Sequence, residues 1–297
     1  MATQTEEPLV SQPMRSVESN ERPNFAVPAG ACDAHMHVFG PEDRYPRVPH
    51  PHYTLPDGKM SHYRSLIDGL GIRHFVIVQP SFYDTDNSCL VDALADVGDI
   101  ARGVVMVEPE VTDEELARMS ALGVCGVRLD LFKRARLPIE EIQAFILTMA
   151  ARVKPFGWHL QFYAPGYVVR DLIGFLEAVE VDFVIDHMGY MLEEDGLTDT
   201  DFERLLSLLR AGRCWLKLSA PYRLAKKRGY GPVHEVAKAI VAAAPGQALW
   251  GSDWPHIPLS ADHDTGALLN MLALWAPQPE TRTMILADNP RRLFGFA

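Results

Sequence analysis

The sequence predicts an α/β fold, a (β/α)8 TIM barrel, on three observations. Eight runs rich in β-branched or aromatic residues recur along the chain, each followed by an amphipathic segment of helical pattern. No GxGxxG follows any of these runs, which counts against the doubly wound open sheet as the alternative. Polar residues gather at the ends of the runs, where a barrel of this kind carries its active site.

Residues 1–29, rich in Pro, Ser, Glu and Asn, read as a flexible N-terminal arm, and 30–297 as one barrel. The expected strands are ACDAHMHVF (31–39), HFVIVQP (74–80), RGVVMVEP (102–109) and CGVRLDLF (125–132). HLQFYA (159–164), DFVIDHMG (182–189), CWLKLSA (214–220) and ALWGSDWP (248–255) complete the eight. Thr112 followed by Asp113, Glu114 and Glu115 marks a helix start with an N-cap and early acids, and Pro138 ahead of Glu140 and Glu141 marks another.

Composition narrows the function. With 47% hydrophobic and 23% charged residues, the 297-residue chain is globular and can bury a large core. A net charge of −11 argues against nucleic acid or an anionic membrane as partner. No apolar run reaches the roughly 18 residues of a membrane-spanning helix, and the first 29 residues lack the apolar stretch of a secretory signal. The four cysteines form no CxxC pair, so neither a disulfide framework nor a thiolate zinc site is expected, and a reducing cytoplasm suits them.

The chemistry concentrates in a few segments. In DAHMHVFG, His35 and His37 share strand parity and are expected to point inward with Asp33 below them, leaving Ala34 and Met36 to the helices. A single strand histidine is commonly a satisfied core residue. Two on one inward face are costly to bury without partners, and HxH is also a divalent-metal spacing. His187 in VIDHMG and Asp253 in WGSDWPH stand at two further strand ends. Asp253 could merely cap its loop, but with three imidazoles it makes a set for hydrolysis, with the carboxylate as base and the imidazoles polarising a carbonyl. Arg128, Arg134 and Arg223 also fall near strand ends, with Lys133 beside Arg134. Any one alone would suit a surface ion pair. Together they suggest a ligand bearing carboxylates, which the guanidinium fork grips through both oxygens. Lys217 is expected inside, in a structural ion pair with Asp33 or Asp130.

DAHMHVFGP, VIVQPSFYDTDN, VRLDLFKR, GWHLQFY, VIDHMG, WGSDWPH and the terminal DNPRRLFGF occur together and in this order. In this the chain resembles the amidohydrolase superfamily in its amidohydrolase 2 branch, and within it the pyrone-dicarboxylate lactonases, from about residue 28 to the end. The resemblance implies a distorted barrel and a hydrolase that opens a carboxylated lactone in aromatic catabolism. It implies catalytic roles for Asp253, His35, His37 and His187, carboxylate binding by Arg128, Arg134 and Arg223, and polar contacts from Tyr53, Ser81 and Tyr163. It favours no cofactor. The alternative is a single divalent metal such as zinc on His35, His37, His187 and Asp253, as in a metal-dependent decarboxylase of the superfamily. A lactone isomerase, a sulfomuconolactone-type hydrolase and a non-catalytic lactone-binding protein are the other rivals. Phe82-Tyr83-Asp84 and Ile257-Pro258-Leu259 depart from the lactonase pattern, which bears on the substrate more than on the reaction.

Overall fold

A computed structural model describes residues 15–48, 55, 58–257 and 262–297; the expectation for Tyr53 falls outside them. Each of the eight expected runs overlaps a strand, β3 and β4 beginning one residue ahead of theirs: β1 (Cys32–Met36), β2 (His74–Val78), β3 (Ala101–Val105), β4 (Val124–Asp130), β5 (His159–Tyr163), β6 (Phe183–Ile185), β7 (Cys214–Ser219) and β8 (Ala248–Gly251). They are parallel and ordered β1 to β8 in sequence, as a TIM barrel requires. Between and after them run α1 (Met60–Leu70), α2 (Ser88–Val97), α3 (Asp113–Ala121), α4 (Leu131–Arg134), α5 (Ile139–Val153) and α6 (Gly166–Leu176). Then follow α7 (Asp199–Arg210), α8 (Pro221–Ala225), α9 (Gly231–Ala243), α10 (Thr265–Trp275), α11 (Pro279–Thr283) and α12 (Asn289–Phe294).

Local chemistry explains the boundaries. The Thr112 side chain accepts from Glu115 N at 3.2 Å and starts α3, whose Leu116 and Met119 turn inward. Three acids in the first turn of α3 complement its dipole. Strand β6 is short because the chain leaves it through left-handed backbone, with φ of 50° at His187, 49° at Met188 and 63° at Gly189.

The strands enclose an inner cluster of Cys32, Ala34, Val76, Val78, Val104, Val184, Trp215 and Leu249. Phe294 and Phe296 join it from the C-terminal tail. They lie against His159 and His74, the first residues of β5 and β2, and so plug the N-terminal end of the barrel. Asn289 ties this tail to the sheet, donating to the carbonyls of Pro245 and Ala248 at 2.8 Å each.

One strand departs from simple alternation. The β1–β2 register shifts between Asp33 and Met36. Ala34 therefore packs in the inner cluster, while Asp33, expected on the inward face with the histidines, turns toward α1. There its oxygens accept from Tyr63 Oη at 2.9 Å, Ser252 N at 2.8 Å, Ser252 Oγ at 2.5 Å and His35 N at 3.0 Å. Asp33 is thus a clamp between β1 and the chain leaving β8. Asp253 N donating to His35 O (2.8 Å) and His37 N to Trp254 O (2.9 Å) carry the closure upward.

Of the expected N-terminal arm, the described part lies against the barrel. Arg15 pairs with Asp264 at 3.2 Å, Glu21 N donates to the same carboxylate, and Arg22 reaches Gly69 O at 2.8 Å. Among the described residues, no helix is long and apolar enough to cross a membrane. All four cysteines are free thiols.

Candidate active site

The ends of β1, β6 and β8 converge on one atom. Asp253 Oδ1 lies 3.4 Å from His37 Nε2, 3.6 Å from His35 Nε2 and 3.8 Å from His187 Nε2. The Nε2 atoms of His35 and His37 are 3.3 Å apart. All four side chains are buried, and Asp253 Oδ1 has no hydrogen-bond partner. Such a buried orphan costs on the order of 1–3 kcal/mol, and native proteins keep few of them. Two residues past the ends of β6 and β8 the backbone is left-handed, with φ 50° at His187 and 59° at Asp253. Strain of this sort, about 1–3 kcal/mol per residue, is concentrated at functional sites.

The other carboxylate oxygen is fully engaged. Asp253 Oδ2 accepts from Tyr222 Oη at 2.6 Å and from Arg223 Nε at 2.9 Å. Burial by itself would raise the Asp253 carboxyl, but the Arg223 guanidinium, then His187, hold it well below the usual carboxylate range. Burial lowers the His187 imidazole to about 4 and pushes His35 well below its ordinary value, helped there by the Lys217 charge. The site therefore holds a carboxylate and neutral His35 and His187 imidazoles at neutral pH. His37 Nδ1 donates to Val78 O at 2.8 Å, and since a carbonyl only accepts, its Nε2 carries the lone pair. His187 Nδ1 meets Ser219 Oγ at 2.9 Å, a hydroxyl that serves either tautomer.

Beneath these groups lies a second polar layer that the sequence reading did not assemble. Lys217, wholly buried, donates to Gln161 Oε1 at 2.7 Å and stands 3.3 Å from Asp186 Oδ1. Gln161 Nε2 donates to Asp186 Oδ2 at 3.0 Å, and Arg128 Nε lies 3.5 Å from the same oxygen. Lys217 is inside as expected but pairs with Asp186 rather than Asp33 or Asp130. The register shift sends Asp33 outward, and Asp130 is taken by Ser81 Oγ at 2.5 Å. Asp186 and Gln161 carried a signal: Gln161 shares parity with Tyr163, and Asp186 directly precedes His187, both already singled out. Arg128 pairs in register with Gln161.

A cavity of about 520 Å³ opens above the carboxylate, its walls including His37, Ser81, Arg128, Tyr163, Arg223 and Asp253. The Arg128 guanidinium lies 4.2 Å from the Tyr163 ring centroid, and its Nη1 donates to Gln79 O at 3.1 Å. Arg223 borders the cavity but spends its fork on Asp253. Arg134, expected at the mouth, is directed elsewhere by the short helix α4. It pairs with Glu108 at 2.9 Å and its guanidinium sits 3.9 Å from the Phe145 ring centroid, outside this cavity. The structure thus gathers His35, His37, His187, Asp253, Arg128, Ser81, Tyr163 and Arg223, and leaves out Arg134.

The donor set also fits a single divalent cation. The imidazole nitrogens of His35 and His37 and the carboxylate oxygen of Asp253 are ligands zinc accepts, and the orphaned Oδ1 is the atom such an ion would satisfy. Tetrahedral zinc with bonds of about 2.0–2.1 Å needs ligand atoms about 3.3–3.4 Å apart, close to the separations of His35, His37 and Asp253. The residues that could hold a metal are therefore present, where the sequence favoured none and kept a single ion as the alternative.

The sequence pattern of the amidohydrolase family matches residues 32–296. The chain is 35% identical over 287 residues to a 2-pyrone-4,6-dicarboxylate hydrolase of Comamonas testosteroni, covering 92% of each. It is 32% identical over 275 residues to a 4-sulfomuconolactone hydrolase of Hydrogenophaga intermedia, covering 91% of this chain and 90% of that one. An apo crystal structure of an Agrobacterium tumefaciens protein superimposes with a TM-score of 0.81 at 27% identity, over 93% of this chain and 99% of that one.

Proposed function

Since the chain belongs to the amidohydrolase family, we propose that it is a hydrolase that opens a carboxylated lactone ring of the kind its relatives' names describe. The observation that carries this reading is the unpartnered Asp253 Oδ1, set among three imidazole Nε2 atoms on the wall of a cavity that Arg128 also lines. The small-molecule substrate enters this cavity with a carboxylate toward Arg128, and Tyr163 and Ser81 flank the ring. Arg223 acts first through Asp253, holding its Oδ2 so that Oδ1 alone faces the reaction.

Asp253 stays anionic across the working pH range, and its Oδ1 takes a proton from the water that attacks the lactone carbonyl. His37 Nε2, a lone pair, accepts the water's second hydrogen bond and aims its oxygen. His35 and His187 polarise the carbonyl oxygen and stabilise the charge that grows on it. The ring oxygen leaves as the ester C–O bond breaks, and the proton held by Asp253 returns to the product. Binding the carboxylate at Arg128 contributes orientation, so that water and carbonyl meet in line.

A second reading follows from the donor set. With a divalent ion on His35, His37, His187 and Asp253, the ion would supply Lewis-acid polarisation of the carbonyl. Cytoplasmic residence accords with four free thiols in one chain. The test is a panel of carboxylated lactones, a pyrone dicarboxylate and a muconolactone among them, followed by absorbance and product analysis with and without chelator. Ring-opened acid is the expected product. Rearranged lactone would replace hydrolysis by isomerisation, chelator-abolished turnover would establish the metal-assisted form, and binding with no turnover would overturn the reading.

A further inference from the structure

We propose that Lys217 is a positioning residue that fixes the proton of His35 on Nε2, making that imidazole a hydrogen-bond donor to the reacting oxygen rather than a metal ligand. The argument is the direction of one chain of hydrogen bonds. Lys217 Nζ lies 3.2 Å from His35 Nδ1 in hydrogen-bond geometry. An ammonium only donates, so Nδ1 is a lone pair and the proton of the neutral ring sits on Nε2. The far end agrees independently. His37 Nδ1 is held as a donor by Val78 O at 2.8 Å, so His37 Nε2 accepts, and its partner at 3.3 Å is His35 Nε2. Without substrate the chain runs one way, Lys217 to His35, His35 to His37 and His37 to Val78, and when substrate and water enter they take over the His35 proton and the His37 lone pair.

The opposite tautomer has a partner waiting. Asp186 Oδ1 is 3.3 Å from His35 Nδ1, yet it is buried without a hydrogen bond. A proton on Nδ1 would satisfy it and would free the Nε2 lone pair to bind an ion. Two Nε2 lone pairs would then face each other at 3.3 Å, which is tolerable only around a cation. Lys217 and Asp186 thus compete for one nitrogen, and the winner decides whether His35 polarises a carbonyl or ligates a metal. Lys217 stays where it is because Gln161 Oε1 accepts from it at 2.7 Å and the Asp186 carboxylate neutralises it. The catalytic meaning of this assignment rests on the lactone-opening reading, whereas the proton's position is read without substrate.

The test is long-range proton–nitrogen correlation spectroscopy on the full-length, chelator-treated protein labelled with 15N-histidine, His35 being assigned from the spectrum of His35→Asn. The expected result is a neutral His35 protonated at Nε2 beside a His37 protonated at Nδ1. In Lys217→Met, the charge-assisted bond to Asp186 should win and move the His35 proton to Nδ1. Zinc affinity measured by calorimetry should then rise roughly tenfold or more, the scale on which groups behind a ligand tune metal binding. A wild-type His35 protonated at Nδ1 overturns the proposal. So does an unmoved Nε2 proton in Lys217→Met, even with tighter zinc, since loss of a nearby charge alone would tighten it. The wild-type spectrum needs no variant and decides the question should Lys217→Met not fold. If no lactone is turned over but the spectra come out as expected, the function reading fails and the role of Lys217 stands.

Discussion

The two ends of the barrel interior are built by the same strands and carry opposite chemistry. At the N-terminal end Phe294 and Phe296 close the inner cluster against Val76, Val184 and Leu249. At the C-terminal end Asp253, His37 and His187 surround an unsatisfied oxygen, and the backbone at Asp253 and His187 is strained. One end is packed with apolar side chains, and the other gathers charged and polar groups on strained backbone. The lesson is a division of labour. The floor supplies the stability that lets the rim hold a carboxylate short of partners, and changes at the two ends should separate stability from turnover.

Asp253→Asn tests the rim most severely. It should cut kcat by roughly 10²–10⁴-fold, the usual contribution of a positioned base, while binding and thermal stability change little; a variant with full turnover would break the comparison at its centre. Phe294→Ala should do the reverse. Emptying this buried plug should cost about 3–5 kcal/mol in urea unfolding, with the kcat of the remaining folded protein unchanged. Arg128→Met should raise KM roughly 10- to 150-fold, as loss of a charged hydrogen bond of about 1.5–3 kcal/mol implies, and sharpen the contrast between gripping substrate and activating water.

Acid acts on the rim through its histidines. Burial lowers His187 from 6.5 to about 4 and holds His35 well below its ordinary value. In that window the unfolded chain binds protons that the folded chain refuses. Their contribution is whole above pH 6.5 and is lost as pH falls toward 4, so midpoints of urea unfolding should drop across that interval. Arg134→Met makes the smallest change. Its partly exposed pair with Glu108 is worth about 0–1 kcal/mol, and with its guanidinium outside the cavity KM should stay within about twofold. A large rise in KM would show that the arm of α4 swings inward when substrate binds.

Much of this was legible in the residues. The eight runs each overlapped a strand, because alternation and β-branching are local properties that the sheet needs at every strand. His35, His37, His187 and Asp253 were readable for a related reason: polar side chains at the inward positions of strand ends have nowhere else to go once the barrel closes. Asp33 was misplaced by the same logic. Its parity matches that of His35, but a register shift in β1 turned it to the helical layer, and nothing in DAHMHVFG announces a bulge. Arg134 was misplaced because one helical turn after β4 set its direction.

The sequence by itself determined the strand count, the face that carries the imidazoles and the family of chemistry, because each depends on residue type and spacing over a few positions. Tertiary structure alone decided which partner each charge would find: Lys217 with Asp186, Arg223 with Asp253, Asp33 with Tyr63 and Ser252. Charges pair through space across distances of a few ångströms. The chain that joins those partners runs through dozens to hundreds of residues, so no local pattern could have named them.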